Sequence, residues 1–141
     1  MIYPVETDYL LAVDCDVIVA GDFSRYLVGE AVATAADWGD WMVQGRWVEL
    51  FAAAGIPYPD ERTLTARFWQ ETVHYPNSGV IVAPRNRVPA LSAEWTRRLV
   101  ELLDAASARD WWAGKQSYFA DQIALTLTNH SGRFPTRVLP L

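Results

Sequence analysis

Tyr9–Ser24, YLLAVDCDVIVAGDFS, is the stretch on which the reading of this chain turns. An apolar run from Tyr9 to Val13 ends in Asp14-Cys15-Asp16, a second run follows from Val17 to Ala20, and Gly21-Asp22 closes it. Apolar runs rich in strand formers predict strands covered on both faces. Two carboxylates at the end of a buried strand are unfavourable without a charge partner. A divalent Mg²⁺ or Mn²⁺ suits them, because these hard cations prefer carboxylate oxygens. The stretch therefore predicts a buried strand that presents Asp14 and Asp16 to a metal. D-X-D also arises by chance at solvated strand ends, so the stretch alone leaves both readings open.

On its N-terminal side, Met1 to Asp8 is a short polar lead-in without the basic start and apolar middle of a signal peptide. No apolar run approaches the ~20 residues of a membrane span. With a single cysteine, Cys15, the expectation is a cytoplasmic protein with no disulfide framework and no transmembrane segment. The 141 residues suit one α/β domain with a sizeable core. A net charge of −5 argues against general affinity for nucleic acid or anionic lipid. Lys115 is the only lysine among twelve basic residues. Arginine suits bidentate phosphate binding, and a biased genome composition explains the same imbalance.

On the C-terminal side, Ser24 starts a short helical turn through Leu27, and Ala31 to Ala35 reads as a strand. Asp40 is a candidate N-cap for a helix to Ala54, with Val43, Trp47, Leu50 and Phe51 at helical spacing and Gly55 as its stop. Glu61 to Gln70 is ambiguous. Thr72 to Tyr75 looks extended, Pro76-Asn77-Ser78-Gly79 carries a turn signature, and Val80 to Ala83 is a strand ended by Pro84. A helix is predicted from Pro89 to Ala106, with Leu91, Trp95, Leu99 and Leu102 on one face. Asp110 to Ser117 is a loop. From Phe119 to Asn129 the helical and strand periods conflict. Thr136 to Leu139 is a last strand. Short strands mixed with long helices indicate an α/β fold.

Taken singly, the remaining motifs have plain structural readings. Asn77-Ser78-Gly79 is a turn in which Gly79 takes a positive φ and Asn77 bonds its own backbone. Asp121-Gln122 places an acid at a helix start, where it complements the dipole. His74 and His130 read as core or surface histidines rather than ligands. Trp47 and Trp95 belong to the core, while Trp111-Trp112 lies in a loop where aromatics either pack inward or form a platform for a sugar.

Taken in order, D-X-D at a strand end, G-D-hydrophobic-S, N-S-G-V-hydrophobic and then D-Q resemble family 8 glycosyltransferases, the glycogenin, galactinol synthase and lipopolysaccharide galactosyltransferase type. The resemblance spans about Tyr9 to Leu139. It implies a partial GT-A fold, a mixed sheet flanked by helices, and transfer of a sugar with retention from a nucleotide-sugar, a UDP-sugar first among donors, to an unknown acceptor. It assigns Asp14 and Asp16 to the Mn²⁺ or Mg²⁺ that bridges the donor diphosphate, and Asp22 to a turn. Asn77, Ser78 and Gly79 are assigned to the donor-sugar pocket. Asp121 and Gln122 are assigned to gripping the sugar, with Gln122 supporting an oxocarbenium-like transition state electrostatically. The family's N-terminal nucleotide-binding half and its C-terminal histidine motif have no counterpart here. Two other readings remain: a haloacid-dehalogenase-type phosphatase, with Asp14 as nucleophile and Asp16 as acid/base, and a truncated, non-catalytic fragment that binds a sugar or a partner.

Overall fold

The computed structural model describes residues 7–22, 24–27, 29–37, 39, 42, 44–65, 69–109 and 119–139. In chain order these form β1 (Tyr9–Val13), β2 (Val32–Ala36), α1 (Gln44–Ala53), β3 (Thr63–Leu64), β4 (Glu71–Thr72), β5 (Pro76–Pro84), α2 (Val88–Arg109), α3 (Ala120–Asn129) and β6 (Thr136–Leu139). The main sheet is mixed, in the order β1-β5-β2-β6. β5 runs antiparallel to both β1 and β2, so that Val82 lies opposite Leu11 on one side and Ala33 on the other. β2 and β6 are parallel, and β3 with β4 form a separate small hairpin. A mixed sheet flanked by helices is the expected α/β class, compatible with a partial GT-A arrangement. Among the described residues no helix is long and apolar enough to cross a membrane.

The core has three parts. Trp47, Leu50 and Phe51 of α1 pack with Tyr75, Leu102 of α2 and Ile123 and Leu127 of α3. Val32, Ile81 and Ala83 of the sheet pack with Leu91, Leu125 and Phe134. Ala33, Val82 and Leu139 form a smaller cluster with Tyr9, Tyr26 and Leu27. Gly55 closes α1 at φ 66°, with its N–H donating to Ala52 O and that of Ile56 to Phe51 O. This paired closure is the usual reason for a glycine after a helix. Asp40 and Val43 lie outside the described residues, as do Asp110 to Ser117 with Trp111 and Trp112.

Several expectations are corrected. β1 is an edge strand rather than a buried one: Leu10 and Leu11 are each 40% exposed and Val13 is 43% exposed. Val17 to Ala20 forms no strand, and Ile18 is 88% exposed. An apolar run alone does not distinguish an edge strand from a central one. Asn77-Ser78-Gly79 reverses nothing and lies inside β5. The turn signature marks an irregularity there: Thr34 pairs with Ile81 and Ala36 with Pro76, five steps along β5 against two along β2. The surplus residues bulge at the end of the sheet, a normal use of turn-type residues beside a site. β2 lies one residue later than predicted.

The Phe119–Asn129 conflict resolves as helix. Nine of the ten residues of α3 are buried, so it has no polar stripe to reveal a helical period. Its two threonines are satisfied within the helix. Thr126 Oγ1 donates to Gln122 O at 2.9 Å and Thr128 Oγ1 to Ala124 O at 2.8 Å.

His74 sits beneath this helix, 6% exposed, with Nε2 at 2.7 Å from Thr34 Oγ1. Burial, reinforced by neighbouring His130, pulls its pKa down from 6.5 to about 4. His130 is lowered as well, chiefly by burial. His74 is thus a core residue, and the His130 ring packs edge-on against Phe51 at 5.4 Å between centroids. Because the unfolded chain protonates His74 more readily than the folded one, its contribution is complete above the unfolded pKa and fades as pH falls towards the folded value. Going from about pH 7 to about pH 5 is expected to cost about 2 kcal/mol of stability through His74. Urea unfolding at the two pH values measures this, and His74→Gln should flatten the difference.

Candidate functional site

The site is built where β1 and the bulged end of β5 meet the start of α3. Asp14 follows β1, and its N–H donates to Gly79 O at 2.9 Å, continuing the ladder by one bond. Gly79 keeps a negative φ, so the sequence-based reason for a glycine is overturned. The actual reason is close approach: a Cβ there would lie 2.5 Å from Asp14 Oδ2 and 2.8 Å from Asn77 Oδ1. Asn77 does bond its local backbone, accepting the Gly79 N–H at 2.7 Å. Ser78 Oγ donates to Asp121 Oδ2 at 2.6 Å, which joins the bulge to the first turn of α3. Trp95 Nε1 donates to Asp121 O at 2.8 Å and holds that turn against α2. Asp14, Asn77, Ser78, Gly79 and Asp121 are thus brought together from three distant segments.

Asp16 and Gln122 occupy the two flanks. Asp16 lies in the turn Asp14–Val17, closed by Val17 N–H donating to Asp14 O at 3.1 Å. Both aspartates are exposed, which corrects the expectation of a buried pair. Solvation at a sheet edge removes the burial penalty on which that expectation rested. Asp22 is a turn residue, as the resemblance implies: its carboxylate accepts from Ser24 N–H and Ser24 Oγ–H, and these bonds hold its pKa below the ordinary value. Gln122 is buried behind Asp121. Its Nε2 donates to Asp37 Oδ2 at 2.6 Å and its Oε1 accepts from Tyr75 O–H at 3.0 Å.

Asp37 and Tyr75 were missed by sequence reasoning. Asp37 follows the five apolar or small residues of β2, much as Asp14 follows β1, and that parallel was the available signal. Tyr75 gives no signal in sequence, because its role depends on the cross-chain bond to Gln122.

Among the described residues, no three His, Cys, Asp or Glu side chains gather as a metal cluster. The chemistry of Asp14 and Asp16 still fits Mg²⁺ or Mn²⁺. Such ions are commonly held by one or two carboxylates, with substrate phosphate and water completing the shell, and this exposed pair leaves room for both.

Comparison with curated proteins and with solved structures gives no match. The family comparison is positive: residues 2–133 match the model of the Rhodobacterales glycosyltransferase domain. With the match running over nearly the whole chain, this protein belongs to that glycosyltransferase family and acts between a sugar donor and an acceptor.

Proposed function

We propose that the chain is the catalytic part of a metal-dependent glycosyltransferase of the family 8 type, which transfers a sugar from a UDP-sugar to an acceptor with retention. The observation that carries this reading is the Ser78–Asp121 bond next to the Asp14–Gly79 approach, since it unites the D-X-D, N-S-G and D-Q motifs at one sheet end. Retention and the uridine donor rest on the resemblance of those motifs.

In this reading Asp14 and Asp16 hold Mn²⁺ or Mg²⁺, which when bound neutralises charge developing on the leaving diphosphate. Asn77 and Ser78 offer an amide and a hydroxyl to the donor sugar, and the bare backbone of Gly79 makes room for the Asp14 and Asn77 side chains beside it. Asp121, oriented by Ser78, grips a sugar hydroxyl beside the anomeric carbon. Gln122 is fixed at both ends of its amide by Asp37 and Tyr75. It therefore acts as a rigid dipole behind Asp121 rather than as a nucleophile, costing no reorganisation as positive charge develops. The phosphatase and non-catalytic readings are not favoured, because the family to which the chain belongs is one of glycosyltransferases.

Calorimetry with uridine diphosphate, with and without Mn²⁺, tests the reading. Binding is expected only with the metal and is expected to vanish in Asp16→Ala. Gly79→Ala should fold normally, because the added methyl meets only the ends of the Asp14 and Asn77 side chains. It should bind about 10–100-fold more weakly, the usual effect of misplacing a ligand's support. Metal-independent binding, or an unaffected Asp16→Ala, would refute the assignment.

A further inference from the structure

Trp69 is a residue that core packing does not explain. Among the described residues it alone combines a side chain with a positive φ, 52°, and its indole is 72% exposed. It lies in the β3–β4 hairpin, where Thr65 N–H donates to Gln70 O and Gln70 N–H donates to Thr65 Oγ1, both at 3.0 Å. The left-handed conformation costs an ordinary L-residue about 1–2 kcal/mol, and a glycine would relieve it. Leaving an indole in water also forgoes its burial. Strain of this kind on a non-glycine residue concentrates at ligand clamps.

Directly after Trp69 in the chain, Gln70, Glu71 and Thr72 line a cavity of about 330 Å³ together with Trp47, Tyr58 and Arg62. The Arg62 guanidinium lies over the Tyr58 ring, 4.8 Å from its centroid, and is anchored by the carbonyls of Pro59 and Glu61. One cation, one carboxylate, an amide and a hydroxyl beside aromatic faces make a wall without net charge. That chemistry suits a neutral polyol better than a phosphate or an acidic chain. The cavity also lies close to the proposed site. Trp47 packs edge-on against Tyr75 at 5.6 Å between ring centroids, and the Tyr75 hydroxyl bonds Gln122. Two side chains separate the cavity from the wall behind Asp121.

We propose that Trp69 and this cavity form an outer subsite that binds a neutral saccharide unit of an extended acceptor, remote from the unit that reacts. Its description as an acceptor subsite rests on the glycosyltransferase reading above. Trp69 stacks on one face of the sugar ring, and Gln70, Glu71 and Arg62 bond its hydroxyls. Binding energy gathered there holds the reacting unit in place, as remote contacts do in many enzymes.

The test uses maltotriose, cellotriose and chitotriose, three neutral linear trisaccharides, titrated against the whole protein by saturation-transfer NMR. At least one is expected to bind. Trp69→Gly should weaken that binding about tenfold, the scale of a lost stacking contact. The same variant should melt no lower than wild type, because glycine adopts the φ freely, and Trp69→Phe should recover part of the affinity. The proposal fails if no trisaccharide binds, if Trp69→Gly binds as wild type does, or if it is destabilised. Uridine diphosphate and Mn²⁺ binding, read on the same samples, should not change in Trp69→Gly. If that binding is absent while trisaccharide binding depends on Trp69, the donor reading falls and the saccharide subsite stands. If it is present and no trisaccharide binds, the subsite alone falls.

Discussion

Asp14→Asn is expected to slow Mn²⁺-dependent release of uridine diphosphate from a UDP-sugar about a thousandfold, the several kcal/mol that charge neutralisation at a leaving diphosphate supplies. The substitution keeps shape and removes one formal charge. Asp14 is exposed, and its backbone N–H continues to bond Gly79 O, so the fold is expected to lose little. Surface substitutions of this kind stay within about half a kcal/mol. Donor hydrolysis needs no acceptor, which makes it measurable while the acceptor is unidentified. The loss should fall mainly on kcat, because the charge on the diphosphate grows towards the transition state. A variant that hydrolyses the donor at the wild-type rate, across a range of Mn²⁺ concentrations, would remove Asp14 from the proposed role.

The second large effect concerns stability rather than chemistry. Glu94 of α2 has a side chain only 2% exposed, and it bonds Arg97, Arg98 at 2.9 Å and Arg133 at 3.0 Å. Arg98 also donates to Ala54 O at 2.8 Å, so the cluster ties the end of α1, the middle of α2 and the segment after α3 together. The hydrogen bond from Arg97 leads the causes that hold the Glu94 carboxyl below its ordinary pKa. Glu94→Gln takes from the mostly buried Arg98 guanidinium its carboxylate partner at 2.9 Å and leaves it the more distant Glu101 at 3.7 Å. Removing one partner of a buried pair costs about 3–5 kcal/mol. Urea unfolding should register most of that loss, and Arg97→Gln should cost far less because Arg97 is 42% exposed. An equal loss in both variants would mean that the burial of Arg98 is not what makes the cluster matter. The contribution is present at neutral pH and fades as acid protonates Glu94, because a depressed carboxyl binds its proton later than the unfolded chain does.

The sequence was most informative where its chemistry is local. The helix over Leu91 to Leu102, the glycine stop at Gly55 and the last strand at Thr136 were legible from period and capping residues. Tyr9 to Val13 was legible as a strand, but its place in the sheet was not. The same apolar run serves an edge or a centre, and the decision belongs to β5, some seventy residues away. Asn77-Ser78-Gly79 carried a true signal of irregular backbone, and only its pairing with β2 shows that the irregularity is a bulge. Asp121 and Ser78 were both singled out, yet nothing in a linear chain predicts the 2.6 Å bond between them. Gln122 was read as facing the sugar, whereas its amide is held by Asp37 and Tyr75. Their bonds to Gln122 are invisible without the fold, since one follows a strand and the other precedes a bulge.

The edge position of β1 has a further consequence for timing. Asp14 follows a strand held on one side only, while Asp121 belongs to a helix buried on nearly every side. Local opening follows such differences in burial, so the two halves of the site run on separate clocks. The amides of the β1 half are expected to exchange faster than those of the α3 half. A ligand that touches both halves would therefore slow the faster clock, and amide exchange along Tyr9 to Val13 would record its arrival before any signal from α3.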